Sequence, residues 1–193
     1  MSWLIGIMKE GMLTFTALIL IWILLDRVQL KKPKIRFTCC IFSLYLAAVW
    51  MFVGMPDLLY IRLDVTGNLV PFRGMVPDLR NCVLNILLFL PLGFLLPVLR
   101  NEYRKARKTV GIGIGISGAI EVLQIFTYRA TDINDLITNS LGAALGFLLW
   151  KLLPAKKESL SSEGNLLPIL LGITVCVMFF LHPFLYRLSW SLL

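Results

Sequence analysis

Long apolar runs separated by short charged blocks are the feature that most limits what this chain can fold into. Each run is close to the length of about 20 residues with which an α-helix crosses about 30 Å of hydrocarbon. Hydrophobic residues make up 58% of the 193 positions, so little chain remains for a water-soluble domain. The pattern predicts an all-α fold, a polytopic transmembrane helical bundle of about six spans, at residues 6–25, 37–55, 82–99, 109–126, 136–153 and 166–185.

The distribution of basic residues predicts how this bundle is oriented. The segments 26–36, 100–108 and 151–165 hold five, five and three of the 19 lysines and arginines. Connections rich in Lys and Arg stay in the cytoplasm, which predicts a multi-pass protein with both termini extracytoplasmic. Because the basic residues flank the spans, they favour a role in topology over nucleic-acid binding.

The same pattern predicts three parts along the chain. Residues 1–36 form an N-terminal transmembrane helix and a basic cytoplasmic loop, and 37–153 form a four-helix membrane core with an outer loop at 56–81. Residues 154–193 form a cytoplasmic linker and a C-terminal transmembrane helix. Small residues four apart favour close helix packing in lipid, a spacing found in two glycine pairs, Gly111/Gly115 and Gly142/Gly146.

The four cysteines have no spacing typical of metal ligands. Cys39 and Cys40 are adjacent within an apolar run, and we interpret the thiols as buried and inert. The sequence therefore predicts neither a bound metal nor a cofactor.

Glu121 is an ionisable residue inside the fourth predicted span, where a charge costs about 2.5–3.5 kcal/mol. It lies at a depth of about 18 Å from the cytoplasmic end of that span, in the outer half of the bilayer. Gln124 and Tyr128 lie three and seven residues further along, on the same helical face. These residues predict a polar stripe that opens towards the extracytoplasmic side.

More polar residues follow this stripe directly. Arg129 lies in the predicted turn, and Asp132, Asp135 and Asn139 have the i, i+3, i+7 spacing of one helical face. Asn85 lies in the outer part of the third span. A short helical hairpin would bring these side chains together, so the sequence predicts a polar cleft that faces outward.

Several of these residues also have structural interpretations. Thr131 or Asp132 is suited to cap the fifth helix. Arg129 is suited to an interfacial ion pair with Asp132 or Asp135. Asn85 is suited to bridge two helices through its amide.

The outer loop contains the sequence GNLVPFRG at 67–74. Its glycine, Asn68 and proline predict a turn, and Phe72 is an apolar anchor beside Arg73. A loop of this composition is able to re-enter the interface and cover the polar cleft, and an ordinary hydrated loop is the alternative. Guanidinium groups match phosphates bidentately, so Arg73 is a candidate ligand-binding residue.

Three segments resemble the VanZ-like family of bacterial membrane proteins: NLVPF at 68–72, NILLFLPLGFLLP at 85–97 and IEVLQIFTYRATDINDLITNSLGAALGF at 120–147. The resemblance covers roughly residues 37–153. It implies a cell-envelope protein of the bacterial cytoplasmic membrane and a link to teicoplanin, because the family's namesake confers low-level resistance to that glycopeptide. The polar positions that match the family pattern are Asn68, Asn85, Glu121, Gln124, Arg129, Asp132, Asp135 and Asn139.

These observations leave two classes of function open. In the first, the protein binds a membrane lipid or a lipoglycopeptide at the outer leaflet. In the second, it is a membrane-embedded hydrolase or transferase acting on a lipid-linked sugar or phospholipid, with Glu121 and Asp135 as acid and base. A transporter is disfavoured, because no comparable ionisable residue lies in the cytoplasmic half of any span. The candidate ligand-binding residues are Asn68, Arg73, Asn85, Gln124, Tyr128, Arg129, Asp132 and Asn139.

Overall fold

The structure, a computed structural model, describes residues 12–23, 33–56, 58–59, 61–127, 130–153 and 166–191. Its helices are α1 (Met12–Ile23), α2 (Pro33–Val53), α3 (Leu79–Leu99), α4 (Ala106–Gln124), α5 (Ile133–Leu152), α6 (Leu166–Cys176) and α7 (His182–Ser191). A 3-10 turn at Asn101–Arg104 precedes α4, and a π-helical segment at Val177–Leu181 joins α6 to α7. The mostly helical architecture confirms the predicted class. The sequence did not predict a short pair of parallel strands, β1 (Gly67–Asn68) and β2 (Thr131–Asp132).

Two helical segments among the described residues are long and apolar enough to cross a membrane. They are Leu79–Leu99 and Leu167–Leu185, with mean hydropathies of 2.5 and 2.1. Met12–Ile23 and Phe37–Val53 are apolar but shorter. The six-span topology, the position of the termini and the division into 1–36, 37–153 and 154–193 therefore stay predictions.

The chain divides into two compact units, and the first comprises Met1–Ile61 and Asn165–Leu193. Its buried core brings together Leu18, Trp50 and Met178, which belong to α1, α2 and the π-helical segment. The indole Nε1 of Trp22 also donates a hydrogen bond of 2.9 Å to Ser43 Oγ. A buried polar contact therefore joins α1 to α2 beside the apolar cluster.

Pro183 explains the irregular stretch between α6 and α7. Proline has no N–H to donate to the carbonyl four residues earlier, and its ring crowds the preceding turn. The carbonyl of Phe179, which Pro183 leaves without that donor, accepts a hydrogen bond from the backbone N–H of Leu58 at 3.1 Å. The widened segment Val177–Leu181 precedes the proline, as expected where the helical hydrogen-bond ladder is interrupted.

The second unit, Arg62–Gly164, is built around close contact between α3 and α5. A Cβ added to Gly142 would collide with the carbonyl of Ile86, and one added to Gly146 would collide with the carbonyl of Leu90. Both contacts advance in the same direction along the chain, so the two helices run parallel. The predicted packing role of Gly142 and Gly146 is confirmed.

The prediction that Gly111 and Gly115 form a packing pair is wrong. A Cβ at either position would meet nothing within 4 Å. The glycine of α4 that approaches another helix is Gly113, because a Cβ there would lie 2.6 Å from the Cβ of Ala143 on α5. The small-residue spacing occurs on two faces of α4, and only one of them is turned towards α5.

The turn between α3 and α4 is held by charged side chains. Arg100 forms an ion pair with Glu102 at 3.1 Å, and Lys108 approaches the same carboxylate at 3.6 Å. The Arg104 guanidinium lies 5.8 Å from the centre of the Trp150 ring, which connects this turn to the end of α5.

Candidate functional site

The strand pair brings two distant polar segments together. β1 and β2 are parallel, with Gly67 opposite Thr131 and Asn68 opposite Asp132. A Cβ on Gly67 would lie 2.5 Å from the Thr131 carbonyl oxygen, so a glycine is required for this approach. Asn68 and Asp132 are the first two members of what we call the polar network, which also includes Glu121 and Asn134.

Asp132 is the residue to which the others of this network are bonded. Its carboxylate accepts hydrogen bonds from the backbone N–H of Asn134 at 2.8 Å and from Asn68 Nδ2 at 3.1 Å. The first bond caps α5 and satisfies one of the amides that a helix leaves free at its start. The prediction that Thr131 or Asp132 caps the fifth helix is confirmed for Asp132.

Glu121 connects the end of α4 to the start of α5. The side chain is buried, and its Oε2 accepts a hydrogen bond of 2.9 Å from the backbone N–H of Asp132. Thr131 Oγ1 donates to the backbone carbonyl of Glu121 at 3.3 Å. A carboxylate beside the N-terminus of a helix is also favoured by the helix dipole. These contacts give a physical reason for a buried acid at this position.

Asn134 is a site residue that the sequence reasoning missed. It is buried in the first turn of α5, and its Oδ1 accepts a hydrogen bond of 2.7 Å from the backbone N–H of Phe72. Its Nδ2 donates to the carbonyl of Arg73 at 2.8 Å, and Asn68 Nδ2 donates to the same carbonyl at 3.2 Å. The sequence did contain a signal. Asn134 lies two residues after the acid predicted to cap α5, and short amide side chains in such positions bond to nearby backbone groups.

A second polar contact joins α4 and α5 deeper in the same unit. Asn139 Nδ2 donates a hydrogen bond of 3.0 Å to Ser117 Oγ, and both side chains are buried. Asn85 on α3 is half-buried, and its Nδ2 has no hydrogen-bond partner among the described residues. Gln124 is buried on α4, and its backbone carbonyl accepts a hydrogen bond from Thr127 Oγ1.

The predicted alignment of Asp132, Asp135 and Asn139 on one helical face is wrong at its first member. Asp132 lies before the helix, with φ −132° and ψ 120°, and faces Asn68 instead. Asp135 lies in the first helical turn, within electrostatic range of Cys82 at the start of α3. Tyr128 and Arg129 fall outside the described residues, as do the ion pairs predicted for Arg129.

The loop beside the polar network is exposed and contains a carboxyl, that of Asp64, with a lowered pKa. Thr66 donates hydrogen bonds to Asp64 through its hydroxyl at 2.7 Å and its backbone N–H at 3.0 Å. These two bonds, with the opposite charge of Arg62, hold the pKa of Asp64 below its usual range. Arg73 is exposed, and only its backbone carbonyl is held by the network.

The structure thus directly joins three of the predicted site residues, Asn68, Glu121 and Asp132, and reaches Arg73 through its backbone. It places Asn139 in a separate contact with Ser117. Within the described ranges, no group of three or more His, Cys, Asp or Glu side chains is arranged to hold a metal ion. The arrangement is chemically a set of amides and carboxylates that fixes a loop against a helix start.

The region that matches known proteins includes the whole of this site. The VanZ/LLP1 family profile matches residues 42–154, which include every member of the polar network. Protein VanZ of Enterococcus faecium is 31% identical over 124 residues, which is 64% of this chain and 74% of that protein. No solved structure matches. With more than half of the chain matched by the family profile, this protein belongs to the VanZ/LLP1 family, as the resemblance predicted.

Proposed function

We propose that the protein is a multi-pass component of the bacterial cytoplasmic membrane that binds a lipid or lipoglycopeptide at the outer leaflet. In this proposal its six spans leave both termini extracytoplasmic, and the polar network lies on the extracytoplasmic side. Binding at this site contributes to teicoplanin resistance. The proposal is supported by family membership and by the relative named Protein VanZ.

One observation carries the proposal. The polar network lies directly beneath a loop whose large apolar side chains are exposed, among them Leu63, Val65, Leu69 and Phe72. We take several exposed apolar side chains within one short loop as a sign of interaction with a membrane, ligand or protein. A ligand with an acyl chain and a polar head fits such a combination, because each part meets groups of its own kind. Teicoplanin carries an acyl chain and is a ligand of this class.

The observed contacts favour binding over catalysis. The Oε2 atom of Glu121 and the carboxylate of Asp132 both accept hydrogen bonds from backbone amides. A catalytic acid or base must reach the proton that it transfers, whereas one oxygen of each of these carboxylates already accepts a backbone N–H. Because Glu121 has this structural contact, we do not favour the alternative of a hydrolase or transferase with Glu121 and Asp135 as its acid and base.

Antibiotic susceptibility of a sensitive Gram-positive host tests the proposed function. Glu121→Gln keeps a side-chain oxygen that can accept the Asp132 N–H, and it removes the charge. We expect wild type to raise the inhibitory concentration of teicoplanin several-fold while leaving that of vancomycin unchanged, and Glu121→Gln to lose this protection at equal membrane abundance.

Glu102→Gln is the matched control, because it makes the same chemical change at the α3–α4 turn, where the acid pairs with Arg100. We expect it to protect as wild type does. Equal protection by Glu121→Gln and wild type would contradict a role for this carboxylate. Absence of protection by wild type itself would contradict the link to teicoplanin.

A further inference from the structure

Phe72 has an unusual backbone conformation for an aromatic residue. Its φ is +66°, in the left-handed region that side chains with a Cβ rarely adopt. Such a conformation costs free energy and persists only where surrounding contacts impose it. The ring is nevertheless 69% exposed, so the conformation is not maintained by burial of the side chain.

The polar network imposes this conformation. Asn134 accepts a hydrogen bond from the N–H of Phe72 and donates to the carbonyl of Arg73, so one buried amide holds both neighbours. Asn68 adds a second donor to that carbonyl and accepts from the N–H of Val70 at 3.2 Å. Residues 67–74, which we call the finger, are thus fixed to the start of α5 through their backbone, with the Phe72 and Arg73 side chains left outside.

We propose that the finger inserts into the outer leaflet and places the Phe72 ring among the acyl chains of phospholipids, with Arg73 at their phosphates. This inference rests on the proposed function, which puts the loop on that side of the membrane. It deepens that function by naming the element that reaches the lipid and the residue, Asn134, that positions it.

The surface around the finger indicates lipid as the occupant. Leu69 and Val70 in the finger are 75% and 53% exposed, and Val76 just after it is 87% exposed. Exposing several apolar side chains of one segment to water is unfavourable. The exposed apolar side chains continue along α3 as Leu79, Val83 and Leu87, four residues apart on one face of a helix apolar enough to span a membrane. The finger therefore extends the surface on which that helix would meet acyl chains. Interfacial helices likewise turn Phe, Trp or Leu towards the acyl chains and Lys or Arg towards the headgroups.

Photo-crosslinking tests this directly. The full chain with Phe72→p-benzoylphenylalanine is placed in nanodiscs of equal parts phosphatidylcholine and phosphatidylglycerol and irradiated. We expect a covalent phospholipid adduct at position 72 in a yield similar to that of Leu87→p-benzoylphenylalanine, the reference on α3. A lipid adduct at position 87 with none at 72 would overturn the inference. A crosslink from position 72 to a second copy of the chain, in place of lipid, would overturn it too.

A second variant tests the positioning role of Asn134. Asn134→Asp keeps an oxygen for the Phe72 N–H but loses the donor to the Arg73 carbonyl. We expect the adduct yield at position 72 to fall about tenfold, as the loss of about 1.4 kcal/mol from a buried hydrogen bond implies. The yield at position 87 should stay unchanged. Equal losses at both positions, or no loss at either, would overturn this role.

Together, the crosslinking and susceptibility experiments distinguish a failure of the insertion proposal from a failure of the proposed function. Lipid adducts at position 72 without any protection against teicoplanin would support insertion and overturn the antibiotic role. Protection that depends on Glu121, without lipid adducts at position 72, would overturn insertion alone.

Discussion

Gly146→Ala is expected to lower the thermal midpoint of unfolding in detergent by about 6–12 °C, which corresponds to about 3 kcal/mol for a chain of this size. The added methyl group would overlap the carbonyl of Leu90 and the amide nitrogen of Phe94. Both are backbone atoms of α3, so no side-chain rotation relieves the overlap. The two helices must move apart, and the contact that builds this unit is weakened along its length.

Gly115→Ala is the matched control, because the same methyl group there meets nothing within 4 Å. We expect it to be neutral or to stabilise by up to about 1 kcal/mol, since alanine favours a helix over glycine. Equal losses for Gly115→Ala and Gly146→Ala would contradict the close approach of α3 and α5.

A complementary exchange at the α4–α5 contact sharpens this test. Gly113→Ala would meet the methyl group of Ala143, and Ala143→Gly removes that group. We expect Ala143→Gly to restore part of the stability lost by Gly113→Ala and none of that lost by Gly146→Ala. Rescue of both variants would indicate a general loosening rather than a specific contact.

Asp132→Ala is expected to destabilise the protein by about 2 kcal/mol, which lowers the thermal midpoint by about 4–8 °C. The change removes the cap of α5 and the carboxylate that accepts from Asn68 Nδ2. Hydrogen exchange at the Asn134 amide should accelerate with it, because that N–H loses its acceptor. Asp132→Asn retains an oxygen in the same place and should lose less than half as much.

Asp78→Ala provides the contrast for this prediction. Asp78 also occupies an N-cap position, that of α3, but its side chain makes no capping hydrogen bond. We expect its replacement to change stability by less than about 0.5 kcal/mol. If Asp78→Ala and Asp132→Ala lower stability by similar amounts, the hydrogen bonds around Asp132 contribute no more than an exposed acid does at the start of a helix.

The features that the sequence predicted correctly are those with a local signature. Asp132 precedes an apolar helical run, where a short acid caps the free amides. Gly142 and Gly146 are four residues apart, the local spacing that favours close helix approach. Glu121 stands out because an acid inside an apolar run is costly unless bonded, and the structure supplies a bond to a backbone amide.

The features that were missed depend on partners remote in sequence. Strands of two residues each are too short to show the alternation of polar and apolar side chains, and no local pattern links residue 68 to residue 132. Asn134 was passed over because the i, i+3, i+7 spacing selects Asp132, Asp135 and Asn139. Gly111 and Gly115 share the spacing of a packing pair, but periodicity alone does not say which face of α4 meets α5.

The parallel strand pair also fixes an order of events as the chain leaves the ribosome. Asn68 and its partner Asp132 are 64 positions apart, so at about 5–20 residues per second the first emerges about 3–13 s before the second. Helices α3 and α4 are complete within that interval, whereas Asp132 and Asn134, to which Asn68, Phe72 and Arg73 are bonded, are not yet synthesised. The loop before α3 is therefore made early in its unit but cannot be fixed there until translation has passed the start of α5, because only then is β2 available to pair with β1.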